Sequence, residues 1–108
     1  MKIKITEYGL SIKAGGWDTY GDSGTDNWQG NRNNRLSRFS CALTQSAQDG
    51  LSAQSGDILK IVFDNGKTLY RSFDDRAPEE DPRLDMFFPI AFVPMPSEFA
   101  EVTVEATS

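Results

Sequence analysis

The sequence predicts a mostly-β domain of five to seven short strands and one or two short helices, arranged as a small closed barrel. Three observations favour this class. Apolar and polar residues alternate over short segments, an Asn-Gly pair separates two such segments, and a long polar stretch lacks any periodicity. The 108 residues fit one domain, residues 1–108, and leave no room for a second.

The first part of the chain predicts strands followed by a long loop. Apolar residues alternate on either side of Gly9, which predicts two short strands that break there. Residues from about 14 to 38 are dominated by Gly, Asn, Asp, Ser and Arg and predict a polar loop. Loops of this length are commonly functional or mobile, and a plain surface loop is the alternative.

The middle of the chain predicts a short helix and a hairpin. Thr44 can cap a helix that ends at Gly50. The apolar run 57–63 predicts a strand buried on both faces. Asn65-Gly66 favours a type I′ turn, after which residues 67–73 return as the partner strand.

The last third predicts a loop and two strands. Residues 74–85 are acidic and contain prolines, which indicates a loop. The aromatic segment 86–93 is interrupted by Pro89 and cannot be a ladder strand throughout. Val102 and Val104 alternate with polar residues and predict a final strand.

Composition excludes several classes of function. One cysteine and no histidine rule out an internal disulfide, Ser-His and Cys-His dyads and His-ligated zinc. A net charge of −5 makes nucleic acid and anionic membranes poor partners. No apolar stretch approaches the ~20 residues that cross a bilayer. The first residues alternate as a strand and do not resemble a signal peptide.

Asp85 is the carboxylate that the sequence singles out. It lies between Leu84 and Met86, where apolar neighbours should raise its pKa. A carboxylic acid that stays protonated at neutral pH can protonate a glycosidic oxygen. A structural capping role is the alternative. The run Glu79-Glu80-Asp81, in contrast, is interpreted as solvated surface.

Three aromatic residues in the polar loop, Trp17, Tyr20 and Trp28, suggest a platform for sugar rings. The alternative is that they cover the open ends of a barrel. No metal or cofactor is predicted, because the aspartates of this loop have neither the spacing nor the closing glutamate of a calcium loop.

Three segments of the chain carry a family resemblance. They are Asp18-Thr19-Tyr20-Gly21-Asp22; Cys41-Ala42-Leu43-Thr44 through Gly50 to Gly56 and Ile61; and Lys67-Thr68 through Asp75-Arg76-Ala77-Pro78-Glu79 to Arg83-Leu84-Asp85-Met86 and Ala91-Phe92. These segments resemble the double-psi β-barrel superfamily of expansins, the rare-lipoprotein-A type, lytic transglycosylase A with its three-aspartate relatives, and small inverting endoglucanases. The resemblance implies a six-stranded double-psi β-barrel.

The resemblance also implies roles for individual residues. Asp85 falls on the acid, Asp75 on its companion aspartate, and Asp22 on the catalytic base of the endoglucanases. Asp74 competes with Asp75 for the companion position. Substrate binding would involve Asp74 together with Trp17, Asp18, Tyr20 and Trp28. Asp18 replaces the threonine of expansins, and Ala77 replaces the aromatic residue beside the proline.

Two functions are therefore expected. The first is binding and cleavage of β-1,4-linked glycans, with peptidoglycan ahead of cellulose, by a lytic transglycosylase-like or glycoside hydrolase-like reaction. The second is a non-catalytic, expansin-like module that binds glycan or protein, including a structural component of a phage or secretion assembly. The resemblance implies a secreted or cell-envelope location.

Overall fold

The computed structural model describes residues 1–11, 16–18, 39–88 and 94–107, with only the backbone of 9–11, 16–18 and 88. Within these residues the chain is mostly β, as predicted, with one short helix. The strands are β1 (Lys2–Ser11), β2 (Gly16–Asp18), β3 (Ser40–Leu43), β4 (Ile58–Phe63), β5 (Thr68–Arg76), β6 (Arg83–Phe88) and β7 (Phe99–Ala106), and the helix is α1 (Gln45–Leu51).

Six of the strands close into a ring. The order is β1, β6, β3, β5, β4 and β7, and β7 pairs back onto β1. Strands β1 and β6 are parallel, as are β3 and β5, and the other neighbours in the ring are antiparallel. Strand β2 lies outside the ring and pairs antiparallel with the end of β1.

The interior of the ring is a continuous apolar core. Alternate residues of each ring strand point inward, because successive side chains of a strand face opposite sides. Strand β4 follows this rule with alternating burial, so the prediction of a strand buried on both faces is wrong for it. The core consists of Ile3, Ile5, Cys41, Leu43, Ala47, Ala53, Leu59, Ile61, Phe63, Phe73, Leu84, Met86, Ala100 and Val102.

The N-terminal strands differ from the prediction. Strand β1 does not break at Gly9, because Gly9 pairs with Phe88 on one side and with Asp18 on the other. Part of the predicted polar loop is likewise a strand, since β2 lies within it. Backbone pairing on both sides explains why β1 continues through Gly9, although a glycine weakens a strand.

The predicted hairpin is confirmed, but its turn is of another type. The Gly66 N–H donates to the Phe63 carbonyl at 2.9 Å, so Asp64 and Asn65 are the central residues of the turn. Gly66 follows with a φ of 87°. A three-residue loop in which a turn precedes a left-handed glycine is a common hairpin connection.

Helix α1 begins at the predicted cap and ends one residue later than predicted. The Thr44 hydroxyl accepts from the Ala47 N–H at 3.3 Å. Ser52, and not Gly50, terminates the helix, in a left-handed conformation with a φ of 53°. Of the helices that the structure describes, none is long and apolar enough to span a membrane.

The predicted loop 74–85 is largely strand. Strand β5 continues to Arg76 and β6 begins at Arg83, which leaves a connection of residues 77–82. Both ends are paired in the ring, and this pairing overrides the low strand propensity of aspartate. Strand β6 ends at Phe88, immediately before the proline that was expected to interrupt it.

Candidate functional site

A row of four residues crosses the ring strands β1, β6, β3 and β5. Thr6 pairs with Asp85, Asp85 pairs with Ala42, and Ala42 pairs with Asp75. Paired neighbours project to the same face of a sheet. Because the residues on either side of Ala42 and of Asp85 in sequence belong to the core, this row lies on the outer face of the ring. The sheet therefore brings Asp85 and Asp75 together on either side of a small residue.

A β-bulge determines which aspartate joins this row. Cys41 pairs with Phe73 and the next residue, Ala42, pairs with Asp75, so Asp74 is an extra residue on β5. The bulge allows Phe73 to point into the core while Asp75 points outward. The structure thus brings Asp75, and not Asp74, beside Asp85.

Asp74 has its own partners away from the row. Its Oδ2 atom accepts from the Ser40 hydroxyl at 2.6 Å, and its Oδ1 atom accepts from the Ser72 hydroxyl at 2.7 Å. Each oxygen of the Asp74 carboxylate therefore accepts a hydrogen bond from a serine hydroxyl group. These contacts stabilise the bulge.

Asp85 is nearly buried and titrates near neutrality. Its side chain is 7% exposed, and the Thr6 hydroxyl donates to its Oδ1 atom. Burial and, to a smaller extent, the nearby charge of Glu79 raise the pKa of Asp85 to about 7, while Arg83 opposes both. The expected upward direction is confirmed. Among the neighbouring carboxylates, Glu79 and Asp81 raise this pKa more strongly than Asp75 does.

Tyr8 and Asp75 form a buried, hydrogen-bonded pair on the same face of the sheet as Asp85. The Tyr8 hydroxyl donates to Asp75 Oδ2 at 3.0 Å, and the Arg76 N–H donates to Oδ1 at 2.9 Å. Burial and the adjacent carboxylate raise the pKa of Tyr8, so its hydroxyl stays a neutral donor. The Tyr8 ring packs against Phe87 with centroids 5.4 Å apart. Asp75 is only 1% exposed, so it supports the site and does not open onto it.

A cleft of about 360 Å³ opens beside Asp85. Its walls are formed by β1 residues on one side and by residues 76–79 with Arg83 on the other. Arg83 holds the loop through ion pairs with Glu79 at 3.6 Å and with Asp81 at 3.2 Å. Glu80 and Asp81 are exposed as expected, whereas Glu79 is half-buried and lines the cleft.

Three residues of the site were not predicted from the sequence. Thr6 and Tyr8 could have been found, because they alternate with Ile3 and Ile5 and must face the side opposite the core. Glu79 carries no such signal, since its role depends on how residues 77–82 fold over Asp85.

The remaining predicted site residues belong to β2 or lie outside the described residues. Trp17 and Asp18 belong to β2, where their backbones pair with Leu10 and Gly9. The side chains of Trp17 and Asp18 are not among those described. Tyr20, Asp22 and Trp28 lie outside the described residues. Among the residues that are described, no three Asp, Glu, His or Cys side chains come together to hold a metal ion.

The arrangement supports proton transfer. A carboxyl group with a pKa of about 7 is present in both protonation states at neutral pH, so it can donate or accept a proton within the cleft. Strand pairing on both sides of Asp85 fixes its backbone, and Thr6 orients the carboxyl group. Comparisons with models of protein families, with curated proteins and with solved structures find no match to this chain.

Proposed function

We propose that this domain binds β-1,4-linked glycans in the cleft beside Asp85 and cleaves them, with Asp85 as the general acid and peptidoglycan as the first candidate substrate. The observation that carries the proposal is a nearly buried carboxyl group, with a pKa of about 7, that opens onto a cleft. General acids of glycosidic cleavage need a raised pKa of this kind. The cleft volume of about 360 Å³ falls within the range of roughly 300–1,000 Å³ typical of ligand pockets.

Asp85 would deliver its proton from a defined oxygen. Thr6 donates to Oδ1, so Oδ2 is the atom that carries the proton when the carboxyl group is neutral. That proton passes to the glycosidic oxygen as the bond from this oxygen to the sugar's anomeric carbon breaks. The group leaves as a neutral alcohol, and Asp85 becomes a carboxylate.

The second half of the reaction distinguishes two activities. In a lytic transglycosylase, the sugar's own 6-hydroxyl attacks and the Asp85 carboxylate takes up its proton. In a hydrolase, water attacks and a second carboxylate accepts a proton from it. The lytic reaction needs only Asp85 among the carboxyl groups of the cleft.

The family resemblance supports the same proposal. We propose that the closed ring is a double-psi β-barrel, in which Asp85 stands at the position of the acid and Asp75 at that of its companion. Asp75 and Tyr8 form a buried, hydrogen-bonded support on the same face of the sheet as Asp85. A fixed acid on a rigid strand favours catalysis, because small displacements of an acid cost rate.

The decisive experiment is Asp85→Asn tested on purified peptidoglycan and on chito- and cello-oligosaccharides. Asparagine keeps the shape of the side chain and removes the titratable proton. We expect release of sugar products to fall at least about a hundredfold, the usual contribution of a general acid. Circular dichroism should remain that of the wild type, and Glu80→Gln, an exposed neighbour in the loop, should retain full activity.

Other outcomes lead to different conclusions. If the wild type releases no products from any of these glycans but the oligosaccharides change its tryptophan emission, the domain is a binding module. If it neither cleaves nor binds them, the glycan proposal fails. If Asp85→Asn unfolds the domain, Asp85 is a structural residue of the sheet.

A further inference from the structure

Glu79 occupies an unusual position in the cleft. It belongs to the connection 77–82, and its side chain lines the same cleft as Asp85 while remaining about one-third exposed. Its Oε1 atom lies 3.6 Å from Arg83 Nη1. Its Oε2 atom is shielded from solvent and has no hydrogen-bond partner among the residues that the structure describes. Glu79 and Asp85 line one space, so a molecule bound in the cleft can contact both side chains.

The surroundings of the two carboxyl groups differ. Glu79 forms an ion pair with Arg83 and keeps about one-third of its side chain exposed. Asp85 is more deeply buried than Glu79. The negative charge of Glu79 favours the neutral form of Asp85. The charged groups around Asp85 are Glu7 on β1, Asp75 and Arg76 on β5, Glu79 and Asp81 in the connection 77–82, and Arg83 on β6. Two carboxyl groups that line one cleft, of which Asp85 is shifted toward its neutral form, are the arrangement of a paired proton donor and acceptor.

We propose that Glu79 is the proton acceptor of the cleft and that it works together with Asp85, the proton donor, when a water molecule replaces the leaving sugar in the hydrolase-like reaction. This inference rests on the proposed function. The Glu79 carboxylate would accept a hydrogen bond from the attacking water and take its proton as the new bond to the anomeric carbon forms. Asp85 gives its proton to the departing oxygen in the same step. Exchange with solvent then returns the proton from Glu79 and restores Asp85.

The proposal names a different residue from the one that the family resemblance implies. That resemblance assigns the base to Asp22, which lies outside the described residues. Glu79, in contrast, lines the cleft directly and is the charged neighbour that acts most strongly on Asp85. A parallel variant at Asp22 therefore separates the two assignments.

The test compares Glu79→Gln, Glu79→Ala, Asp22→Asn and the control Glu80→Gln on whichever glycan the wild type cleaves. We expect a loss of at least about a hundredfold in Glu79→Gln and close to full activity in Glu80→Gln. The pH–rate profile of Glu79→Gln should lose its acidic limb. Its basic limb should move to lower pH, because removal of a negative charge lowers the pKa of Asp85.

Chemical rescue distinguishes a proton acceptor from a residue that only shapes the cleft. Sodium azide should restore turnover in Glu79→Ala and leave a glycosyl azide as product, because the azide anion attacks without giving up a proton. A purely structural defect would not respond in this way.

Each remaining outcome overturns the assignment. Retention of activity within about threefold in Glu79→Gln would remove Glu79 from the reaction, and loss in Asp22→Asn alone would make Asp22 the base. Loss in Glu79→Gln without azide rescue and with an unchanged shape of the pH profile would make Glu79 a structural residue. A wild type that cleaves no glycan would end the proposed function, and the proton-acceptor role with it.

Discussion

Both faces of β6 are buried, but the side chains on the two faces differ in polarity. Toward the interior, Leu84 and Met86 are fully covered by the large apolar core. Toward the outside, Asp85 and Phe87 are covered by a much smaller cluster that includes Tyr8. One strand thus presents an apolar face that stabilises the ring and a partly polar face that costs stability.

This difference shows how a small ring can hold a carboxyl group away from water. Burial of an ionisable group without a matching partner is unfavourable, and the interior core supplies the apolar area that offsets it. Functional groups commonly reduce stability in this way. The comparison predicts that substitutions on the inner face of β6 weaken the fold, whereas neutralisation of Asp85 on the outer face strengthens it.

The largest effect on folding is expected at Leu84. Leu84→Ala should lower the free energy of unfolding by about 3–4 kcal/mol, because it removes a fully buried side chain and leaves a cavity in the core. Urea denaturation followed by circular dichroism measures this loss. Leu69→Ala is the matched control on β5, where the leucine is only partly buried, and its loss should be clearly smaller. Equal losses at both positions would contradict the description of Leu84 as a core residue.

Asp85→Asn should raise the free energy of unfolding. This gain is expected only at pH values above the acidic range. The folded chain holds the Asp85 proton up to about pH 7, whereas an unfolded chain releases it near pH 4, so unfolding becomes easier as the pH rises between these values. A pKa raised from 3.8 to about 7 corresponds to at most about 4 kcal/mol. The variant should therefore be more stable than the wild type at pH 8 and nearly equal to it at pH 3.5.

Denaturation curves at these two pH values measure that difference, and Glu80→Gln provides the control. Exposed Glu80 should show no comparable gain at pH 8. A variant that is less stable than the wild type at both pH values would show that the contact with Thr6 outweighs the cost of burial.

A smaller loss is expected at Tyr8. Tyr8→Phe removes the hydroxyl that donates to the buried Asp75 carboxylate and should cost about 1–2 kcal/mol. Tyr70→Phe is the matched control, because Tyr70 is 48% exposed on β5. Its effect should be within about 0.5 kcal/mol. Thermal or urea denaturation of the two variants side by side tests whether the outer cluster contributes to stability.

The inner face could be predicted from the sequence better than the outer one. Alternation identified the strands that carry Ile3, Ile5 and Val102, since an apolar core on one face imposes a period of two. The hairpin at Gly66 and the cap at Thr44 depend on local backbone chemistry and were also predicted. These features need little knowledge of distant residues.

The outer face depends on long-range pairing, which no local pattern encodes. Asp85 was predicted from its apolar neighbours, but Asp75 and Asp74 could not be told apart, because the bulge that separates them exists only when β5 pairs with β3. Glu79 could not be separated from Glu80 for a similar reason. Glu79 lines the cleft and Glu80 does not, and this difference depends on how residues 77–82 pack.

The pairing of β1 with β7 has a consequence for how the chain reaches its native state. Ile3 lies opposite Ala100, so the contact that closes the ring joins segments from opposite ends of the sequence. On the ribosome, β1 must wait until β7 has been synthesised before this contact can form. Non-local pairing of this kind slows folding. Until it forms, β4 and part of β1 present open edges that favour pairing with other nascent chains, so translation speed and chaperone supply would influence the yield of native protein.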